Sequence, residues 1–410
     1  ILLYALLVAL TALASACQEE PEPPVPEEPA QPELSRTVLV YQVAERNGLD
    51  RYSGLDIREM EQAVAEGQLG SGGRLLVYNH SGGKAPVLLD IRPDGTDTIK
   101  TYSTDLLSVQ AERMLEVFDD MTAMATAADY GLILWGHGSG WLQDGIQDIV
   151  PTAPRSYGGE NRTKWMNITT LARTIESGPD FSFVYFDCCH MASVEVAYEM
   201  RHATPLIAGC VSELPGEGMP YHLNVKNFFT EGSADIIAAA TTTFRYYEEW
   251  KEIGRRPECS PANFAGRYAT MSVIATEGLD DLADITADIY SRAGTSFPEG
   301  FVPQRFGRAA TGLAKYYFDF GQYVEALCIA ADGSERFAGA SARLAEFRSA
   351  LEACVPYAAT MPYLYAGDAD MEYHCGLSTY IVSSKEELKT RNYHTLEWYD
   401  RVVTSLTINN

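Results

Sequence analysis

The sequence predicts an α/β fold with a mostly parallel central sheet and helices on both faces. Short apolar runs rich in aromatic and β-branched residues occupy positions 131–135 and 183–186, and glycine or polar residues bound each run. Such runs are typical of buried strands in a parallel sheet. Strand-like segments also alternate with segments of helical periodicity along the chain. The residues that directly follow each run are therefore the first candidates for chemistry, because α/β folds place their sites at the carboxyl ends of strands.

The amino-terminal third alternates strands and helices. Apolar, β-branched runs predict strands, and apolar positions at helical spacing predict helices. The predicted strands cover residues 37–43, 74–78 and 88–91, with a turn at 94–95, and the predicted helices cover residues 55–66 and 106–127. The second helix is amphipathic and leads into the strand at 131–135.

The segment between the two principal strands contains few apolar residues. Residues 148–166 are rich in proline, glycine and basic side chains, which predicts an exposed loop of the kind that proteases cut. Residues 168–176 then predict a helix that packs before the second strand.

The remainder of the chain continues the α/β pattern, and no linker after Arg36 is strong enough to separate two domains. The predicted helices cover residues 192–201, 234–250, 279–293, 323–331 and 340–351, with a last one ending near 398–399. The predicted strands cover residues 205–208, 270–275 and 377–382, and residues 215–218 form a turn.

The amino terminus has the composition of an export signal. Residues 1–16 are apolar and end in small residues before Cys17, which resembles a bacterial lipobox. The run is shorter than the roughly 20 residues of a membrane-spanning helix. We therefore predict a lipoprotein signal over residues 1–17 with lipidation of Cys17. The alternatives are a cleaved secretion signal and a membrane anchor.

A disordered tether follows the signal. Residues 18–33 contain six prolines, six glutamates and no basic residue, so they cannot bury enough apolar area to fold. We predict a tether over residues 18–36 that lifts a globular domain, residues 37–405, off the outer membrane. The acidic residues after Cys17 resemble an export signal to the cell surface, whereas a plain spacer would leave the domain in the periplasm.

The charge of the chain restricts its partners. The formal net charge is −25, and the tether accounts for only six of these negative charges. A field of this sign repels phosphate backbones, which excludes nucleic acid and favours basic peptides, although acidic surfaces also serve solubility alone. The eight cysteines contain no CxxC pattern, and a chain of this length needs no disulfide framework.

A histidine and a cysteine follow the two principal strands. His137 lies between Gly136 and Gly138, and Cys189 follows the strand at 183–186. An imidazole can take the proton of a thiol and deliver it to a leaving amine. The backbone N–H groups of Gly138 and Cys189 are candidates for an oxyanion site, supported by the amino end of the helix predicted from residue 192. The alternative for Cys189 is a buried packing residue.

The neighbours of Cys189 offer competing interpretations. Cys188 points the other way along a strand and fills core space, or is itself the nucleophile. His190 is a less favourable base than His137 for the same reason. Cys188, Cys189 and His190 could instead bind zinc, but no fourth ligand at suitable spacing is evident. Asp187 shares a face with Cys189, so its carboxylate either binds an arginine or lysine side chain or caps the following helix.

Three motifs in order resemble the clostripain family of cysteine peptidases. They are residues 134–141 around His137, residues 187–195 around Cys189, and residues 213–221. Weaker similarity extends over residues 41–49, 272–274, 319–321 and 376–380. The resemblance covers nearly all of residues 37–403.

The resemblance implies a caspase-like α/β/α sandwich with a carboxyl-terminal α/β extension. It also implies an endopeptidase with a His137–Cys189 dyad, a preference for Arg or Lys carried by Asp187, and self-cleavage between the first two motifs. Arg155, Arg162 and Lys164 are the candidate cleavage sites. Cys188 and His190 depart from the small or apolar residues usual in the family, which bears on the shape of the pocket.

The sequence therefore predicts a lipid-anchored, monomeric cysteine endopeptidase that needs no cofactor. We make no prediction for calcium, because its role varies within the family and no EF-hand loop is present. One alternative is a catalytically silent surface lipoprotein that binds basic peptides in an acidic cleft. Another is a zinc hydrolase.

Overall fold

The computed structural model describes residues 34–142, 156–249, 269–294, 297–365, 369–382 and 392–406. They belong to one compact unit, Glu33–Asn410. Its strands are β1 (Leu34–Val43), β2 (Gly73–His80), β3 (Val87–Arg92), β4 (Gly95–Thr101), β5 (Ala127–Trp135), β6 (His137–Gly138), β7 (Tyr157–Glu160), β8 (Lys164–Met166), β9 (Phe181–Asp187), β10 (Leu206–Gly209), β11 (Thr270–Ala275), β12 (Phe318–Asp319), β13 (Tyr357–Thr360), β14 (Tyr363–Leu364), β15 (Ala369–Asp370) and β16 (Ser378–Thr379).

A nine-stranded sheet forms the centre of this unit, in the order β13-β11-β10-β9-β5-β1-β2-β3-β4. The five inner strands from β10 to β2 run parallel. Antiparallel strands complete the two edges, β3 and β4 on one side and β11 and β13 on the other. The predicted mostly parallel sheet is confirmed. The edge strands β4 and β13 were absent from the sequence prediction.

Helices cover both faces of the sheet. They are α1 (Asp50–Ala65), α2 (Ala111–Met124), α3 (Ile168–Glu176), α4 (Val194–Glu199), α5 (Tyr221–Phe228), α6 (Ile236–Glu248), α7 (Leu279–Ala293), α8 (Phe320–Ala331), α9 (Ala340–Cys354) and α10 (Glu397–Arg401). Alternate residues of each inner strand enter two separate buried clusters, as Leu132 and Ile133 illustrate. The fold is therefore an α/β/α sandwich, as predicted.

Several predicted elements agree with the structure residue for residue, namely α3, α7 and β11. Others are shorter than predicted. The helix expected over 106–127 covers Ala111–Met124, and the strand expected over 377–382 reduces to Ser378–Thr379, which pairs with β12.

The loop predicted over residues 148–166 is wrong for its described part. Residues 157–166 form a hairpin in which β7 pairs with both β6 and β8. All of Tyr157–Glu160 is buried, and only the turn at 161–164 is exposed. Tyr157 Oη donates to the carbonyl oxygens of Tyr41 and Trp135, at 3.0 and 3.3 Å. Two glycines, Gly158 and Gly159, with φ of +109° and +73°, give this strand the composition of a loop. Residues 148–155 lie outside the described residues.

The carboxyl-terminal segments are fixed to the helix that follows Cys189. The buried Glu195 of α4 accepts hydrogen bonds from Thr379 Oγ1, Tyr380 N and Tyr393 Oη, at 2.9, 2.8 and 2.9 Å. Burial raises the pKa of Glu195, and these three donors oppose that shift. Within the described ranges, no helix has the length and hydropathy needed to cross a bilayer.

Candidate active site

A cavity of about 340 Å³ lies at the carboxyl ends of β5 and β9. Its lining consists of Leu49, residues 135–138, residues 187–190, residues 213–216, Gly218, Thr311 and Leu313. Strand register explains why the two predicted motifs meet here. Trp135 pairs with Asp187 on the neighbouring parallel strand, so the segments that follow these two residues leave the sheet at the same edge. A Cβ atom built on Gly138 would be 2.6 Å from Cys189 O and 2.8 Å from Cys188 Cβ.

His137 is oriented by a backbone carbonyl. Its Nε2 lies 3.1 Å from Asn47 O. A carbonyl oxygen only accepts, so Nε2 carries the proton and Nδ1 keeps its lone pair. The hairpin also packs near the imidazole, with the Trp165 ring centroid at 6.2 Å. This arrangement leaves Nδ1 as the proton-accepting atom of a neutral ring.

The electrostatic surroundings favour the neutral form of His137. Burial lowers the pKa of His137, the hydrogen bond to Asn47 O opposes that effect, and the nearby Arg162 charge lowers the pKa further. A lower pKa favours the neutral form of the ring, which can accept a proton.

The Asn47 side chain holds its own loop in place. Its Nδ2 donates to Val43 O at 2.9 Å, and its Oδ1 accepts from Leu49 N at 3.0 Å. The sequence analysis did not identify Asn47 as a functional residue. Its contribution to His137 comes from a backbone carbonyl, which leaves no side-chain signature in a sequence.

Cys189 is half-buried in the same cavity. Its Sγ accepts from Leu214 N at 3.3 Å and lies 3.7 Å from Leu214 O. Burial raises the pKa of Cys189 to about 12, the Glu213 and Asp187 charges add to this, and the Leu214 N–H opposes it. Across the described residues, no hydrogen bond joins Cys189 to His137. Burial therefore favours the protonated thiol at Cys189, as it favours the neutral imidazole at His137.

Cys188 is directed into the core on the opposite side of the strand from Cys189. Its buried Sγ donates to Leu134 O at 3.0 Å. All six described cysteines are free thiols: Cys188, Cys189, Cys210, Cys328, Cys354 and Cys375. The described side chains include no group of His, Cys, Asp or Glu arranged to hold a metal ion.

The His190 ring is fixed by contacts of its own. Its Nδ1 donates to Val211 O at 2.9 Å, and its ring stacks on Tyr317 with the centroids 4.2 Å apart. Burial lowers the pKa of His190 to about 4. His190 therefore lines the cavity with its ring packed against Tyr317.

The helix after Cys189 differs from its prediction. It begins at Val194 instead of residue 192, and Ser193 Oγ accepts from Val196 N. Its amino end is therefore capped within the chain, and we assign it no role at the thiol. The backbones of Gly138 and Cys189 lie close together, since a Cβ on Gly138 would be 3.2 Å from Cys189 N.

Asp187 forms part of the cavity lining and is fixed by its neighbours. Met219 N donates to Oδ1 and Oδ2 at 2.9 and 3.1 Å, and Tyr221 Oη donates to Oδ2 at 3.1 Å. Gly218, with φ of +61°, leaves space over the carboxylate, because a Cβ there would lie 2.8 Å from Oδ2. Asp187 is therefore not the cap of the following helix, which Ser193 provides.

A second carboxylate, Glu213, also lines the cavity. Its Oε1 accepts from Thr311 Oγ1 at 3.1 Å, and its Oε2 lies 3.8 Å from Arg308 Nη1. Burial raises the pKa of Glu213, while Thr311 and Arg308 oppose that shift. Glu213 falls within one of the recognised motifs, but the sequence analysis assigned it no role.

The family model of the clostripain family matches residues 40–333. The chain belongs to the clostripain family. It is a cysteine peptidase with the caspase-like fold predicted from its motifs. No curated protein matches the chain.

Two solved structures resemble this clostripain-family chain over almost its whole length. An inactive zymogen C11 protease from Parabacteroides distasonis is 26% identical with a TM-score of 0.72, and the match covers 92% of this chain and 99% of that one. A secreted C11 cysteine protease from Bacteroides thetaiotaomicron, in complex with an irreversible peptide inhibitor, is 26% identical with a TM-score of 0.70, and the match covers 90% and 98%.

Proposed function

We propose that this peptidase cleaves peptide bonds after arginine or lysine, with His137 as general base and Cys189 as nucleophile. The observation that carries the proposal is their common cavity, in which the Nε2 bond to Asn47 O leaves His137 Nδ1 as a proton acceptor. A relative that forms a complex with a peptide inhibitor supports a peptide substrate.

The chemistry follows from this arrangement. As Cys189 Sγ attacks the scissile carbonyl carbon, its proton passes to His137 Nδ1, and the carbonyl oxygen becomes an oxyanion. The N–H groups of Gly138 and Cys189 stabilise that oxyanion. Collapse of the intermediate breaks the C–N bond, and the leaving amine takes the proton from His137. Water then attacks the acyl carbon and gives a proton to His137. The C–S bond breaks, the carboxylic acid product leaves, and the thiolate of Cys189 takes the proton back from His137.

Asp187 accounts for the proposed preference for a basic residue. Its carboxylate is buried, held in a fixed orientation and accessible from the cavity beside Cys189. A guanidinium or ammonium group that enters this space gains a charge-assisted hydrogen bond in surroundings of low dielectric constant.

Self-processing in the segment between the two motifs belongs to the same proposal. Arg162 and Lys164 lie in or beside the exposed turn of the hairpin, whereas Arg155 falls outside the described residues. Strand β7 of that hairpin is buried. Cleavage after Arg162 or Lys164 therefore requires the hairpin to open locally. The proposal also retains the signal over 1–17, the lipid on Cys17, the tether over 18–36, and a monomeric domain over 37–405 at the outer membrane.

The test combines kinetics with intact mass. Wild-type protein should hydrolyse an arginyl peptide, and Cys189→Ala should lower kcat/KM by at least about 1,000-fold, since the nucleophile is removed. Cys328→Ala, a change at a free thiol that does not line the cavity, should retain wild-type activity. Hydrolysis by Cys189→Ala at the wild-type rate would refute the assignment. A mass change on incubation of wild-type protein, but not of Cys189→Ala, would identify self-processing.

A further inference from the structure

The cavity contains two carboxylates, and the proposed function uses only Asp187. Glu213 lines the same space from the segment that follows β10. Its side chain is 15% exposed. It is therefore accessible from the cavity but largely withdrawn from bulk water, where a charge interaction is weakly screened.

Glu213 is held in a defined position. Thr311 Oγ1 donates to its Oε1 at 3.1 Å, and its backbone N–H donates to Tyr365 Oη at 2.9 Å. Tyr365 in turn donates to Phe306 O at 2.7 Å. A carboxylate with this support loses little conformational freedom when it binds a ligand.

Among the described residues, the cation paired with Glu213 is Arg308, and it compensates the charge poorly. Arg308 Nη1 is 3.8 Å from Oε2, longer than the roughly 2.7–3.2 Å of an N–H···O hydrogen bond, and the Arg308 side chain is 41% exposed. Asp187, by contrast, accepts hydrogen bonds from Met219 N and Tyr221 Oη. A cationic ligand group that makes a direct hydrogen bond to Glu213 therefore interacts with this carboxylate more strongly than Arg308 does.

Glu213 also acts on the nucleophile. The next residue, Leu214, donates its N–H to Cys189 Sγ, and the Glu213 charge contributes to the raised pKa of Cys189. A positive group placed against Glu213 would offset this charge and favour the developing thiolate.

We propose that Glu213 forms a second cation-binding subsite beside Asp187, so that the enzyme selects peptides with another basic side chain close to the scissile residue. This inference rests on the proposed function. It narrows the proposed substrates from peptides with one basic residue to peptides with two. Arg308 competes with the substrate for Glu213.

The experiment uses arginyl peptides that carry a second arginine at one of the three positions before the scissile residue. Each is compared with the same peptide containing citrulline there, which keeps the size and removes the charge. At pH 8, and at one of the three positions, the arginine peptide should have a kcat/KM about tenfold higher than that of the citrulline peptide. Tenfold corresponds to the lower end of the free energy that a hydrogen bond between charged groups contributes.

Substitutions should shift this arginine-to-citrulline ratio in opposite directions. Glu213→Gln should bring the ratio close to one, and Arg308→Gln should raise it because the competing cation is gone. The ratio cancels any general effect on the nucleophile. Glu352→Gln, an exposed change on α9 away from the cavity, should leave the ratio unaltered.

The proposal is overturned if wild-type enzyme shows a ratio near one at all three positions, or if Glu213→Gln keeps the wild-type ratio. A fall in the ratio with Arg308→Gln also contradicts it. Failure of the proposed function is distinguishable, since it would abolish cleavage after a basic residue in every peptide of the series.

Discussion

Gly138 is the point at which the segment that follows β5 contacts the segment that follows β9. Gly138→Ala therefore tests the geometry of the site directly. The added Cβ would lie 2.6 Å from Cys189 O and 2.8 Å from Cys188 Cβ. The shorter distance is about 0.8 Å below ordinary contact at 3.4 Å. The atoms that clash belong to the backbone and to a buried Cβ, so the two segments must move apart.

The expected cost follows from that displacement. Overpacking of this kind destabilises a fold by roughly 1–3 kcal/mol. A shift approaching 1 Å between Cys189 and the neighbouring N–H groups should lower kcat/KM by about 100-fold. Steady-state hydrolysis of an arginyl peptide measures the loss of activity, and thermal unfolding measures the loss of stability.

A matched substitution separates this clash from a general effect of replacing glycine. Gly54 lies inside helix α1, where an added Cβ meets only Arg58 Nη1 at 4.0 Å. Gly54→Ala should keep full activity and stabilise the fold by about 0.5–1 kcal/mol. If Gly138→Ala retains activity within about threefold of wild type, the inferred apposition of the two segments is refuted.

Three further predictions concern charge. Asp187→Asn should lower kcat/KM for an arginyl peptide by at least about 100-fold, since loss of one partner of a buried charged pair costs roughly 2–5 kcal/mol, and a citrullinyl peptide should lose far less; equal losses for both peptides would contradict the role. Arg162→Gln removes a positive charge that lowers the pKa of His137, so this pKa should rise. The acid limb of the pH profile of kcat/KM should then move to higher pH. An unchanged acid limb would exclude the influence of this charge. Glu195→Ala leaves three hydrogen-bond donors without their acceptor and should lower the free energy of unfolding by about 3 kcal/mol, measured by thermal unfolding. The control Glu352→Ala, at an exposed position, should lower it by less than about 0.5 kcal/mol. Similar losses in both variants would contradict the role of Glu195 in fixing the carboxyl-terminal segments.

The parts of the fold with strong local patterns were predictable from the sequence. Helix α7 combines apolar spacing with acidic residues in its first turn, and the apolar run of β9 is bounded by polar residues. The apolar spacing located the helix, and the apolar run located the strand. The edge strand β4 was not located, because its residues show no apolar alternation and none of them is buried.

The hairpin over residues 157–166 shows where local composition misleads. Its glycines and basic residues indicate a loop, but β7 is stabilised by long-range pairing with His137 and Gly138. That partner is distant in sequence, so the stabilising interaction leaves no local trace.

The site was predictable at the level of side chains that follow strands. His137, Cys189 and Asp187 line one cavity, as the strand-end argument anticipated. Asn47 was missed because it contacts His137 through its backbone carbonyl, which any residue has. Glu213 was missed because only the tertiary structure brings it close to the thiol of Cys189.

The most direct test of the paired roles of His137 and Cys189 is covalent labelling with an arginyl acyloxymethyl ketone, followed by peptide mapping. The account predicts one adduct, on Cys189, that forms at least about 100-fold more slowly in His137→Ala, because general-base assistance is lost. An adduct on Cys188, or an undiminished rate of labelling in His137→Ala, would contradict it.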